Sequence, residues 1–143
     1  MAVTISLYNH TAAKFADGSF AAADTYKVKL LTAATFNATH TTLAATAGTE
    51  STTATGYTAG GQALASVAVT TVTTNDAKFD ADDLTWSASG GAIVASYAIL
   101  YNDTDTDDPP VAFIDFDGSQ SAGDGTSFLL VWNASGIFTW TVA

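Results

Sequence analysis

Few side chains here are of a kind that does chemistry, and their spacing decides how far each can be taken. His10 and His40 are the only histidines among 143 residues, and there is no cysteine. Nucleophilic catalysis needs a nucleophile, a base in reach and a group that orients the base. Both histidines stand in polar, weakly patterned stretches away from any Gly-x-Ser-x-Gly turn, so both read as exposed loop residues. Without thiols there is no disulfide frame and no cysteine-based zinc site. Asp115 and Asp117 lie two apart on an expected strand, hence on one face at about 7 Å by strand geometry. That pairing is of the kind glycoside hydrolysis uses. Its alternation with Phe116, however, is that of the wet face of a half-buried strand, and no catalytic residue is assigned.

The acidic run Asn102-Asp-Thr-Asp-Thr-Asp-Asp108 places oxygens at alternate positions, as calcium loops do. It lacks the glycine and the closing glutamate of an EF-hand, and Pro109 and Pro110 follow it. Two readings stand. One is a calcium site built on Asp103, Asp105 and Asp107. The other, preferred, is a solvated turn in which aspartate acts as turn former. Asp80, Asp82 and Asp83 form a second cluster with the same two readings. Calcium is the one candidate cofactor.

The elements that must carry these groups are strands. Thr25 to Thr32 alternates Tyr26, Val28 and Leu30 against Lys27 and Lys29, the period of a sheet with one wet face. Ala92 to Asn102 is apolar on both faces, as expected of a central strand covered on both sides. It sets Ile93, Ala95, Tyr97, Ile99 and Tyr101 on one face. Further strands are predicted over 62–74, near 84–88 and over 110–117. The strands 126–132 and 137–142 are expected to form a hairpin about Asn133 to Gly136. Asn75-Asp76 reads as a turn and Gly118 to Gly125 as a polar loop. Residues 1–24 suggest an arm, with a short helical turn at Ala12, Ala13, Phe15 and Ala16. Residues 33–55 read as a long surface excursion. Together with the arm, it is the expected docking surface. The aromatic residues Trp86, Trp132, Trp140, Phe113, Phe116, Phe128 and Phe138 fall on strand positions and are expected mostly in the core.

The predicted architecture is therefore a single all-β domain over 1–143, an antiparallel β-sandwich, jelly-roll-like, of about seven or eight strands with a short N-terminal arm or helix over 1–24. Composition narrows its partners. Four lysines and no arginine stand against 14 carboxylates, a formal net charge of −10. A nucleic-acid binder neutralises phosphates with Lys and Arg, and anionic membranes ask for the same cations, so neither partner is expected. The first eight residues carry no basic segment or long apolar segment of a secretory signal, and no run reaches the ~20 apolar residues of a membrane span. The sequons at Asn9, Asn37, Asn102 and Asn133 read as incidental in a threonine-rich chain.

Three stretches carry a resemblance: Gly56-Tyr-Thr-Ala-Gly-Gly61, Ser96-Tyr-Ala-Ile-Leu-Tyr-Asn-Asp-Thr104, and Pro110-Val-Ala-Phe-Ile-Asp-Phe116. With the aromatic strands that follow, the chain resembles small virion structural proteins of tailed bacteriophages. The likeness covers roughly 25–32 and 56–142, and 33–55 fits it poorly. It implies a non-enzymatic particle component: first a capsid decoration (cement) protein on the outer shell, assembled in the host cytoplasm. Its implied partners are the major capsid protein or other virion proteins, and it would be a homo-oligomer, dimer or trimer. A tail or fibre component is the second reading, and a carbohydrate-binding surface sandwich the third.

Overall fold

The computed structural model describes residues 3–73 and 76–141. Thr74, Asn75 and Val142, which fall in expected strands or turns, lie outside the described residues. The fold is all-β, with antiparallel pairing throughout. The described strands, in chain order, are β1 (Thr4–Leu7), β2 (Tyr26–Ala34), β3 (Gly48–Glu50), β4 (Gln62–Ala63), β5 (Ala68–Thr73), β6 (Asp76–Asp80), β7 (Leu84–Ser87), β8 (Ile93–Asn102), β9 (Pro110–Ala122), β10 (Ser127–Leu130) and β11 (Phe138–Trp140). One short helix, α1 (Thr11–Ala16), follows β1.

The principal sheet has the order β1-β9-β8-β2-β3, with β4 also on β2. Two ribbons, β10-β7 and β11-β6-β5, face it. The ribbons meet at a corner where Trp132 ties them. Its amide donates to Asp83 Oδ1 at 2.8 Å and its indole N–H donates to the Asp82 carbonyl at 3.1 Å. The core lies between the layers: Tyr26, Val28 and Leu30 from β2, Ala98 and Leu100 from β8 and Ile114 from β9 meet Phe79, Trp86, Phe128 and Phe138. This sandwich-like arrangement agrees with the sequence pattern. The division into a six-stranded sheet and two ribbons does not reproduce the paired four-stranded sheets of a jelly roll.

Strand β8 is central, between β9 and β2, and buried on both faces as its pattern predicts. A register shift between Ala95 and Tyr97 breaks the expected single face. Ile93 and Ala95 share the main core with Ala98 and Leu100, whereas Ile99 and Tyr101 pack on the opposite side with Tyr8, Leu31 and Phe113. The matching distortion sits on β9, where Asp117 and Gly118 both take positive φ. The expected hairpin of the last two strands is not formed. β10 pairs with β7 and β11 with β6, because three apolar side chains after β10, Trp132, Ile137 and Phe138, turn the chain around the corner.

The segments expected to reach outward are built into the fold. β1 pairs with the edge of β9, and α1 forms where the helical turn was expected. Thr11 is fully buried and donates to the Val111 carbonyl at 2.7 Å. From the 33–55 excursion, Phe36 and Leu43 cover the second face of the principal sheet, and β3 adds to β2.

Candidate functional site

The acidic run is the hairpin loop between β8 and β9, and its order comes from below. Asn102 is fully buried. Its Oδ1 accepts from the amides of Thr104 and Asp105 at 2.8 and 3.1 Å, and its Nδ2 donates to Asp24 at 2.9 Å. Two of the three candidate calcium ligands are turned to lysines: Asp103 to Lys27 at 2.8 Å and Asp105 to Lys14 at 3.0 Å. The hydrogen bond from Lys14 holds the Asp105 carboxyl below the usual carboxylate range. Asp107 sits in the left-handed region at φ 67° and its carbonyl receives the Leu43 amide. Among the described residues no group of three or more His, Cys, Asp or Glu side chains is gathered to hold a metal. The arrangement is that of a buttressed turn.

The second cluster is likewise engaged. Asp80 pairs with Lys78 at 2.8 Å, Asp82 accepts from the Ser66 hydroxyl at 2.7 Å and Asp83 receives the Trp132 amide. Asp115 and Asp117 do not stand side by side on a regular strand. Asp117 adopts φ 56°, and its amide donates to Asp115 Oδ1 at 2.9 Å, so the pair closes the β9 bulge. His10 is half-buried rather than exposed: its Nε2–H donates to the Pro110 carbonyl at 2.7 Å. His40 is half-buried as well, and its Nδ1 is buried without a hydrogen-bond partner. The two rings sit in separate segments, before α1 and before the 43–45 turn.

A buried polar network went unread in the sequence. The Tyr57 hydroxyl donates to Glu50 Oε1 at 2.7 Å and accepts from the Leu30 amide at 3.0 Å. Glu50 Oε1 also accepts from the Gly60 amide at 2.6 Å, and Tyr101 donates to the Gly60 carbonyl at 2.6 Å. Burial raises the Tyr57 phenol above its ordinary value, and the bond to Glu50 adds to the shift. This network locks the Gly56–Gly61 loop onto β2. A lone glutamate in a polar stretch gives no sequence signal that a tyrosine seven residues on will cover it.

All four lysines of the chain are ion-paired, so the remaining charge is acidic. Against that background two uncharged apolar surfaces stand out. Leu129 and Val131 are 59% and 66% exposed beside Val3, over a groove of about 260 Å³ floored by Phe116 and Phe128. On the opposite ribbon, Val69 and Val72 are exposed along β5. Val69 and Trp140 flank a groove of about 440 Å³ whose other walls come from α1 and the segment after it. In the sequence Leu129 lies unremarked within the predicted strand 126–132. Its clustering with Val3 needs the register of β1 on β9, which is a long-range fact.

No family model, curated protein or solved structure matches this chain. No helix among the described residues is long and apolar enough to cross a membrane.

Proposed function

We propose that this chain is a non-enzymatic structural protein of a bacteriophage virion, and that it decorates the outer capsid surface as a cement protein. The observation that carries the proposal is the uncharged stripe of Val3, Leu129 and Val131 on an otherwise acidic domain. Exposed apolar area rimmed by polar residues marks a surface that docks on another protein. The titratable side chains support the reading by their employment. The carboxylates of Asp103, Asp105, Asp80, Asp82, Asp83 and Asp115 each hold a backbone amide, a hydroxyl or a lysine. Acidity keeps many copies apart in solution and away from packaged DNA. The partner in this reading is the major capsid protein or another virion protein.

A tail or fibre position uses the same stripe and is the nearest alternative. The carbohydrate-binding reading has less in its favour. Sugar sites join aromatic faces to placed polar groups, whereas the groove beside Trp140 is walled by alanine, phenylalanine and valine. Cryo-electron microscopy of the parent particle tests the proposal. The expected density lies between capsid subunits on the outer shell, with Leu129 and Val131 covered. Density on the tail alone would replace decoration by the tail reading, and absence of the chain from purified particles would overturn both.

A further inference from the structure

We propose that β5 is a self-association edge, on which two copies of this chain pair antiparallel about a two-fold axis and join their β11-β6-β5 ribbons into one six-stranded sheet. Among the described residues β5 is the outer strand of its ribbon, paired only with β6. Its six residues, Ala-Val-Thr-Thr-Val-Thr, hold no charge and no proline. Natural sheets guard such edges with lysine, proline or a covering segment; β5 holds no lysine or proline, and among the described residues no further strand pairs with its outer side. A two-fold contact needs a surface complementary to itself. An antiparallel backbone edge meets that condition, and the sequence Val69-Thr-Thr-Val72 reads the same in both directions.

The self-complementary edge argues for a second copy as the occupant, and the charge sets where that copy can approach. Two molecules of net charge −10 can approach closely only where no carboxylates are set opposite one another. β5 itself and the groove of Phe15, Phe20, Val69 and Trp140 carry no carboxylate, and on the face of Ala68 and Thr70 the neighbouring Asp80 is paired with Lys78 and Asp82 with the Ser66 hydroxyl. Six strand residues span about 20 Å, which places the contact at the small end of specific interfaces. The dimer is accordingly weak, with a dissociation constant in the micromolar range. It tightens as salt screens the repulsion. None of this rests on the virion reading.

Sedimentation velocity of the purified chain from 2 to 200 µM tests the proposal, at low and at moderate salt. The expected result is a monomer–dimer equilibrium that strengthens with salt. Val72→Lys should weaken it at least tenfold while leaving the circular dichroism and melting temperature unchanged. Because the added lysine lowers the net repulsion, a weaker dimer would report the edge itself. Leu129→Lys should leave the dimer as it is. A monomer at every concentration would overturn the proposal. So would a trimer, or a dimer broken by Leu129→Lys and untouched by Val72→Lys. Particle location plays no part in the readout, so failure here and failure of the capsid reading are separate outcomes.

Discussion

Two glycines carry more of the fold than their size suggests. Gly56 and Gly61 have φ of 85° and 86°. A Cβ at Gly56 would fall on the Ser87 carbonyl oxygen, and one at Gly61 on that of Val28. Gly61→Ala therefore adds left-handed strain to a backbone clash, and its cost in urea unfolding is expected to exceed about 3 kcal/mol. Gly125→Ala, at φ 78° with open space around it, should cost only about 1–2 kcal/mol. Equal losses for the two would show that the Gly61 approach has no energetic weight. Tyr57→Phe leaves both the Leu30 amide and Glu50 short of a partner and should cost about 1–3 kcal/mol. Gly56, Gly60 and Gly61 mark the segment as a turn in the sequence. Its contacts are not marked there, because Val28 and Ser87 are distant along the chain.

The buried phenols set an upper pH limit. Burial pushes Tyr8 and Tyr101 up to about 12 and raises Tyr26 and Tyr57 as well. In the unfolded chain these groups ionise near 10. The unfolded state thus releases protons first, and stability falls as pH rises above about 10. Absorbance at 295 nm should show these four ionising only with unfolding. Their free titration near pH 10 in a folded protein would contradict the packing described.

At the level of elements, the β8–β9 hairpin shows what alternation can and cannot reveal. Its strands and its turn were legible, since Ala92 to Asn102 is apolar on both faces and aspartates crowd the turn. The bulges were not, because a register shift is decided by which neighbour wins the partner strand. The β10–β11 hairpin failed for a related reason. Asn133 to Gly136 does turn, with the Gly136 amide on the Asn133 carbonyl at 2.8 Å, but Trp132 and Phe138 bury their rings on either side of a corner. β6 went unread because Asp76, Lys78 and Asp80 mask a strand that keeps only Phe79 deep inside. The acidic turn is an element held by its own lysines, so calcium would have to displace Lys14 and Lys27. Scanning fluorimetry with added calcium and with a chelator is expected to give the same melting temperature. A rise with calcium would mean an ion binds the folded turn.

For the molecule as a whole, sheet layers and acidity were readable from composition and period. The surfaces offered for contact were not. The arm and the 33–55 excursion looked available in the sequence, but Tyr8, Phe36 and Leu43 fold back onto the second face of the principal sheet. The apolar groups left outside are instead side chains of ordinary strands, Val69, Val72 and Leu129, with Val3 and Val131 at strand ends. The attachment proposed above needs one thing above all, a surface whose loss abolishes binding without disturbing the fold. The most direct measurement is binding of the purified chain to parent particles that lack it, comparing the native sequence with a Leu129→Asp, Val131→Asp double variant of unchanged melting temperature. The account predicts saturable binding by the native chain and at least a tenfold loss in the variant. Equal binding by both, or none by the native chain, would contradict it.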